Sequence, residues 1–385
     1  MSGVTLEELR KRERELRASL EEVLEQQRAL SVQSGGGAGE LRKSFDTLRT
    51  EAEDLKLDRE RVESLAPEIN HLVFEGGGIR GIAFGGTLRF MEEYGLDKYV
   101  KGLAGSSAGA IVAAGVAVGY TSQEFIDVLS ETNFATFKDD SWGVVFDIIR
   151  LFTQYGIYKG DAFFKWFSGL MEKKTGNANI TFKEVYERYG KTLVITGSCL
   201  NKAQSYYFHH LNEKYADMPI ALAVRISMSI PLYFKAVKLG EDTMVDGGVL
   251  NNYPIWVFDG KFIGDPNVSD ATISQSKTMG FKLMTESEQP DSTLYHVDEK
   301  IDGPVEYSKA FLNAMLIQIE RGHIRDGYWK RTVCINTHDI SSLDFSLPDE
   351  KKKMLIHEGY IAAKNHFHCY LEGKENEMNS AITPN

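Results

Sequence analysis

The first 66 residues contain two stretches in which apolar side chains recur at every seventh position. These positions are Leu9, Leu16, Val23 and Leu30 in the first stretch and Leu41, Leu48, Leu55 and Val62 in the second. The glycine-rich segment 34–39 separates the two stretches. Heptad spacing predicts amphipathic helices, so we expect a helical hairpin or short coiled coil over residues 1–66. The pattern leaves open whether it packs on the main domain or serves an oligomer or protein partner.

After Pro67 the pattern changes to short apolar strands that alternate with helices. Residues 71–75 predict a strand and are followed by a helix over about 81–94. Residues 100–104 predict a second strand, followed by a small-residue helix over 110–118. Strand–helix–strand order is typical of parallel sheets. We therefore expect one α/β domain over residues 67–385, with a central, mainly parallel sheet flanked by helices.

Later segments add further predicted elements and one irregular stretch. Strands are expected near 191–198, 243–246 and 332–336, and helices near 219–230, 304–321 and 348–371. The polar stretch 260–300 predicts a loop or small insertion. An aromatic-rich helix is expected within 140–170, and we favour a core position over an apolar lipid entrance for its large side chains, which are Trp142, Phe146, Ile149, Leu151, Phe152 and Tyr155.

Composition narrows the classes of function. The 385 residues include 42% hydrophobic and 26% charged side chains, which is typical of a globular protein. A net charge of −11 argues against nucleic-acid binding, because that requires a basic surface. The three cysteines have no metal-ligand spacing, so neither a metal nor another cofactor is expected. No signal peptide or spanning segment is seen, which predicts a cytoplasmic or peripheral membrane protein.

A candidate nucleophile lies between the second strand and the following helix. Gly105-x-Ser107-x-Gly109 is the nucleophile-elbow pattern, in which a serine at a sharp strand-to-helix turn needs small neighbours. The helix N terminus would present free N–H groups to an oxyanion formed at Ser107. The competing interpretation is a small-residue turn that only packs the helix on the sheet. Ser106 occupies the wrong place in the pattern, and we predict no catalytic role for it.

The glycine-rich segment after the first strand has two interpretations. Its sequence, GGGIRG over residues 76–81, fits the dinucleotide fingerprint G-x-G-x-x-G. That interpretation requires an acidic residue at the end of the second strand, where the serine elbow lies instead. The other interpretation is an oxyanion hole of main-chain N–H groups. We therefore assign the oxyanion hole to Gly76, Gly77, Gly78, Arg80 and Gly81. The arginine is expected to pair with a phosphate, orient the loop or form a surface salt bridge.

A serine nucleophile needs a proton acceptor, and Asp246 is the best candidate. None of the nine histidines lies in a comparable motif, and His209 and His210 simply follow an aromatic strand. Asp246 ends a short apolar strand and precedes two glycines. Because the carboxyl ends of parallel strands lie at one edge of a sheet, an aspartate there can meet the elbow serine. Asp-Gly-Gly is also a common turn. We assign Asp246 as the base because the motif follows the other two in this order.

Together the three motifs resemble the patatin-like phospholipase family. The family pattern is a G-G-G-x-R/K-G loop, then G-x-S-x-G, then D-G-G/A, and all three are intact and in order here. Segments 72–75, 223–231 and 251–254 are also similar to family members. The resemblance covers residues 69–260 well and the remainder to about 370 loosely. It does not cover the N-terminal helices.

The resemblance implies a phospholipase A-like lipid acyl hydrolase with a Ser107–Asp246 dyad and an acyl-enzyme intermediate. It also implies oxyanion binding at Gly77 and Gly78, independence of calcium, a phospholipid or other acyl-lipid substrate, and peripheral membrane contact. An acyltransferase or a non-lipid esterase using the same dyad is the first alternative. A lipid-binding or interaction module is the second, and the presence of both Ser107 and Asp246 argues against it.

Overall fold

A mixed eight-stranded sheet organises the fold. The computed structural model describes residues 56–137, 156–260, 276–285, 326–338 and 340–374. The strands are β1 (His71–Phe74), β2 (Gly102–Gly105), β3 (Gly156–Tyr158), β4 (Thr192–Cys199), β5 (Gln204–Phe208), β6 (Leu232–Phe234), β7 (Val237–Leu239), β8 (Asp242–Asp246), β9 (Thr278–Met284) and β10 (Thr332–Asn336). The helices are α1 (Arg59–Glu63), α2 (Phe84–Glu93), α3 (Ala108–Ala117), α4 (Ser122–Glu131), α5 (Asp161–Thr175), α6 (Phe182–Tyr189), α7 (Ile220–Ser227), α8 (Asp326–Trp329) and α9 (Asp349–Leu371).

The strand order of the main sheet is β10-β9-β1-β2-β4-β8-β7, with β5 also paired to β4. The run from β10 to β4 is parallel, whereas β8, β7 and β5 are antiparallel to their neighbours. β3 and β6 form a separate two-stranded sheet. The predicted α/β fold, with a central sheet and flanking helices, is confirmed. The sheet is mixed because the chain returns antiparallel on one side.

Both faces of the parallel strands are buried, which makes most of them nearly continuous apolar runs. Leu72 and Phe74 of β1 enter the large core beneath the helices, while Val73 between them enters a second core on the opposite face. Among the described residues, that second core is closed by 253–258 and by Tyr328 of α8. Alternation with a period of two along the strand thus divides the interior into two layers.

Two strands share one edge of β4, and this arrangement places the functional site. β2 runs parallel to β4, with Gly105 opposite Ile195, and β8 runs antiparallel, with Asp246 opposite Gly197. β5 pairs with the same stretch of β4. A strand has only two edges, so β2 and β8 must follow one another along the edge that β5 leaves free. Their carboxyl ends therefore face each other across Thr196.

Strand β9 shows that the prediction of irregular chain over 260–300 is wrong between Thr278 and Met284. All seven residues of β9 are buried, and the strand lies between β1 and β10 in the middle of the parallel run. The sequence pattern does not predict this strand, because it contains Lys282, and a lysine is typical of a surface position. In the structure Lys282 is paired with the buried Glu75.

Some predicted elements lie outside the described residues. These are residues 1–55 of the hairpin predicted over 1–66, the aromatic residues from Trp142 to Tyr155 and the helix over 304–321. Residues 56–66 are described: α1 begins after its N-cap Asp58, and Val62 is buried in the large core. This end of the predicted N-terminal extension therefore packs on the α/β domain. In the part of the chain that the structure describes, every helix is too short or too polar to cross a membrane.

The C-terminal helix α9, predicted at 348–371, packs on α2 with almost no space between the two main chains. A β-carbon on Gly86 of α2 would overlap the carbonyl oxygen of Ile356 and lie 2.6 Å from the nitrogen of Tyr360. Gly359 of α9 is equally close to the carbonyl oxygen of Ala83. Small residues thus allow α9 to support the helical segment that follows the glycine loop.

We expect Gly86→Ala to destabilise the protein by about 1–3 kcal/mol, because the added methyl group must push two packed helices apart. Gly169→Ala is the matched control. Gly169 is also helical, but a β-carbon there would meet nothing within 4 Å. The control should gain about 0.5–1 kcal/mol from helix propensity. Urea denaturation measures both changes, and equal effects at the two sites would contradict the close packing of α9 on α2.

Candidate active site

Ser107 lies in the turn between β2 and α3 with φ 50° and ψ −122°. A positive φ is rare for a residue with a side chain and marks local strain. The turn is possible because both flanking glycines lie against main chain. A β-carbon on Gly105 would overlap the carbonyl of Gly109, and one on Gly109 would overlap the carbonyl of Phe74. The predicted elbow geometry is therefore present at Ser107.

The end of α7 holds the elbow in place. The N–H of Ser107 donates to Ser227 Oγ at 2.9 Å, and Ser107 Oγ lies 3.5 Å from Met228 Sδ. The main-chain oxygen of the next residue, Ser229, accepts a hydrogen bond from the N–H of Asp246 at 3.0 Å. Three consecutive residues at the end of one helix thus contact both members of the predicted dyad.

Asp246 is fully buried at the end of β8. Its Oδ1 accepts the N–H of Gly248 at 2.7 Å, while its Oδ2 receives no hydrogen bond from the described residues. Burial raises the pKa of the Asp246 carboxyl to about 7, and the Gly248 N–H opposes that rise. The nearby Ser107 hydroxyl lowers the pKa to a smaller extent. The acceptor that the structure gives the Ser107 hydroxyl is Met228 Sδ, and Oδ2 of Asp246 keeps no partner among the described residues.

Asp246 is brought to Ser107, but by a different strand arrangement from the one predicted. Parallel strands were expected to carry both residues to one edge, but β8 is antiparallel to β4. Asp246 reaches the site because β8 approaches β2 head-on along the same edge. A β-carbon on Gly247 would lie 2.8 Å from Ser106 Oγ, which shows how closely the two strand ends meet.

The glycine loop runs past Ser107 and is held from the side of Asp246. A β-carbon on Gly76 would lie 2.9 Å from Ser107 Cβ. Asn252 forms two hydrogen bonds with Gly76. The main-chain oxygen of Asn252 accepts the Gly76 N–H at 3.1 Å, and the side-chain Nδ2 donates to the main-chain oxygen of Gly76 at 3.0 Å. Within the described residues, the N–H groups of Gly77 and Gly78 have no acceptor. They are thus available to a ligand beside the serine.

The rest of the loop is a short 3₁₀ helix, Gly78–Ala83, that contains the buried Arg80. Arg80 Nε donates to the Gly77 oxygen at 3.4 Å, so this side chain orients the loop. Gly78 has φ 56° and lies against the carbonyl of Ser342, which leaves no room for a side chain. Gly81 lies against the elbow helix, where a β-carbon would be 2.8 Å from Ala108 Cβ.

A narrow apolar pocket begins beside this site. Gly78, Ala108 and Met228 line its near end, next to Ser107. Its remaining lining is apolar and consists of Ile79, Gly81, Ile82, Ile111, Val112, Phe125, Leu129, Phe134, Phe137, Phe163 and Phe345. Apart from main-chain atoms at its mouth, the pocket offers a ligand little but hydrophobic contact.

The two histidines considered from the sequence, His209 and His210, are not brought to the serine. His209 and His210 follow β5, on the opposite edge of β4 from β2 and β8. His210 stacks on Tyr186 with ring centroids 4.0 Å apart, and burial lowers the pKa of His209 to about 4. Within the described ranges, no group of three or more histidine, cysteine or acidic side chains is arranged to hold a metal ion. Asp246 is a buried acid beside the serine.

Sequence reasoning missed the residues that hold the site together. Ser227, Met228 and Asn252 lie in or beside segments that resemble the family, but no local pattern indicates that they contact Ser107 and Gly76. Ser342 and Phe345 follow β10, in a region where the family resemblance is loose. The main-chain oxygen of Ser342 accepts the Ile79 N–H at 3.0 Å, which ties this segment to the glycine loop, and Phe345 lines the pocket. Long-range contacts of this kind leave no periodic signal in one sequence.

The fold agrees with comparisons to known proteins. The family model for patatin-like phospholipases matches residues 72–259. The protein YqhO of Bacillus subtilis, itself uncharacterised, is 31% identical over 297 residues, which cover 74% of this chain and 94% of YqhO. The chain belongs to the patatin-like phospholipase family.

Two further comparisons extend this result. The probable lipid hydrolase 463L of Invertebrate iridescent virus 6 is 30% identical over 190 residues, which cover 48% of this chain and 61% of 463L. The crystal structure of VipD from Legionella pneumophila matches with a TM-score of 0.53 and 14% identity, over 78% of this chain and 67% of VipD. At that identity, the likeness to VipD concerns the fold.

The raised pKa of Asp246 predicts how stability depends on pH. The native carboxyl titrates near 7 and the unfolded one near 3.8, so the group favours folding at low pH and this contribution is lost as the pH rises to about 7. We expect the stability of Asp246→Asn relative to wild type to rise by about 3 kcal/mol between pH 5 and pH 9. Urea denaturation across that range tests this, and parallel profiles would contradict it.

Proposed function

We propose that this protein hydrolyses fatty-acyl esters of lipids, with Ser107 as nucleophile and Asp246 as base. The observation that carries the proposal is the position of a strained serine, beside a buried carboxyl, at the mouth of an apolar pocket. Each part has a chemical use. The strained turn fixes the direction of the serine side chain, burial makes the carboxylate a stronger base, and the pocket holds an acyl chain.

Burial supports Asp246 as the base. A carboxylate with an ordinary pKa near 3.8 is a weak acceptor for a serine proton, whereas a pKa of about 7 matches the base to neutral pH. The open Oδ2 is the expected acceptor. Rotation of the Ser107 hydroxyl away from Met228 Sδ would bring its proton to that oxygen. Direct contact also removes the need for a histidine between the two groups.

The proposed reaction has two stages. Ser107 Oγ bonds to the ester carbonyl carbon while its proton moves to Asp246, and the resulting oxyanion accepts hydrogen bonds from the N–H groups of Gly77 and Gly78. The ester C–O bond breaks, and the leaving alcohol takes the proton from Asp246. Water then gives a proton to Asp246 and attacks the acyl-Ser107 ester. The fatty acid leaves and the proton returns to Ser107. No step of this scheme calls on calcium.

The pocket supports a lipid substrate. Each methylene removed from water stabilises the complex by about 0.8 kcal/mol, so a pocket with an apolar lining favours a long acyl chain over a short one. Family membership and the printed name of 463L, a probable lipid hydrolase, point the same way. A lipid in a bilayer or micelle is presented at its surface, so we include peripheral contact with that surface in the proposal.

The dyad is tested with a fluorophosphonate probe and phospholipid vesicles. We expect wild type to be labelled and to release fatty acid, with kcat/KM rising with pH to a plateau above about 7 as Asp246 ionises. Ser107→Ala should abolish labelling, and Asp246→Asn should lower kcat by about three orders of magnitude. Ser106→Ala, which alters the adjacent hydroxyl, is the control and should retain activity. Labelling that survives Ser107→Ala would remove this residue from the mechanism.

The pocket is tested with p-nitrophenyl esters of increasing acyl length. We expect kcat/KM to rise about fourfold per methylene until the chain meets the phenylalanines at the far end. Phe163→Ala should move the optimum to longer chains. Phe167→Ala is the control, because Phe167 is equally buried in the same helix and stacks on Phe163 but does not line the pocket. The same shift in both variants would contradict the proposed acyl site.

A further inference from the structure

A buried carboxylate ends strand β1 immediately before the glycine loop. The Glu75 N–H donates to the Phe281 oxygen at 3.0 Å, as a continued parallel ladder with β9 requires. The next bond of such a ladder would run from the Leu283 N–H to the main-chain oxygen of Glu75. Leu283 instead donates to the side-chain Oε2 of Glu75 at 2.7 Å. The carboxylate thus takes the place of the residue's own carbonyl, and the ladder stops there.

This replacement sets the path of the loop. The carbonyl of Glu75 is turned toward the elbow helix, where a β-carbon on Gly109 would lie 2.6 Å from its oxygen. The main chain then leaves the sheet and enters Gly76 and Gly77. Leu283 touches the loop a second time, because a β-carbon on Gly77 would lie 2.5 Å from Leu283 Cδ1. Strand β9 therefore determines where the loop begins and how it passes the serine.

Lys282 allows a charged group to occupy this position. Its Nζ donates to Glu75 Oε1, and both side chains are almost completely buried. The same ammonium lies 5.8 Å from the ring centre of Tyr253, whose hydroxyl is hydrogen-bonded to Thr332 Oγ1 at 2.9 Å. A buried carboxylate without a counter-charge would be strongly unfavourable. Lys282 lies beyond residue 259, where the family match ends.

We infer that Glu75 is a positioning residue for the oxyanion site: its carboxylate ends the β1–β9 ladder so that the N–H groups of Gly77 and Gly78 face Ser107. Lys282 supplies the counter-charge. This inference rests on the proposed function, since it gives the loop its catalytic meaning. If the acceptor is removed, the Leu283 N–H finds the carbonyl of residue 75, β1 extends by one bond, and the loop is drawn away from the serine.

Two double variants separate this role from stability. Glu75→Gln/Lys282→Met and Glu75→Leu/Lys282→Met both lack the buried charges, but only the first keeps an oxygen acceptor for Leu283. We expect the glutamine variant to keep kcat on a p-nitrophenyl ester within about threefold of wild type, and the leucine variant to lose at least about tenfold, with KM similar in both. Values are taken per folded molecule, with the folded fraction measured by urea denaturation.

A second buried ion pair provides the matched control. Asp259 and Arg331 are paired at the amino ends of β9 and β10, at the opposite end of the sheet from the serine. Asp259→Asn/Arg331→Met should lower stability and leave kcat per folded molecule unchanged. Equal kcat in the glutamine and leucine variants would overturn the inference. A loss of kcat in the Asp259→Asn/Arg331→Met control as large as that in the leucine variant would also overturn it.

Hydrogen exchange makes the test independent of the reaction. Exchange at the amides of Gly76–Gly78 should change in the leucine variant and stay as in wild type in the glutamine variant. If both variants exchange like wild type, Glu75 does not position the loop, whatever the activity. If wild type has no esterase activity, or keeps it after Ser107→Ala, the proposed function fails, while exchange at these amides still decides the role of Glu75.

Discussion

The site depends on the shared edge of β4. Two strands that run in opposite directions cannot continue past one another along one edge, so β2 and β8 must both end near Thr196. The chain leaves each strand by a sharp turn, and those turns carry Ser107 and Asp246. The distance between the two residues is thus set by sheet register. A slip of one residue would move every side chain of a strand to the other face of the sheet, so the burial of these strands specifies that register.

The same junction leaves polar groups without partners. Within the described residues, Ser106 Oγ, Thr196 Oγ1 and Asp246 Oδ2 are all buried without a hydrogen bond. Such atoms are rare in folded proteins, because each lost hydrogen bond costs about 1–3 kcal/mol. Their concentration where two ladders stop follows from geometry, since neither strand can supply the missing partners. An uncompensated carboxylate oxygen is also what a base requires, so part of this instability is useful to the proposed reaction.

Local signals made most of the fold predictable from sequence. β1, β2 and the turn at Ser107 were found because a strand, small residues and a helix follow each other within a few positions. α9 and β10 were found because their patterns are regular. β9 was missed because Lys282 breaks its apolar run, and only the distant Glu75 explains why a lysine is tolerated there. The direction of β8 was missed because strand pairing is a long-range property with no trace in local periodicity.

Glu75 shows how the predicted and the missed parts of the site are related. The motif that begins at Gly76 indicates a loop that can approach a substrate, but glycine is permissive and does not fix a path. The path is fixed by groups that lack this freedom: the carboxylate of Glu75 on β9, Asn252 on Gly76, and the carbonyl of Ser342 against Gly78. Each comes from a different part of the chain. A glycine motif therefore marks where an oxyanion site can form, and its sheet and loop neighbours decide whether the N–H groups point at the serine.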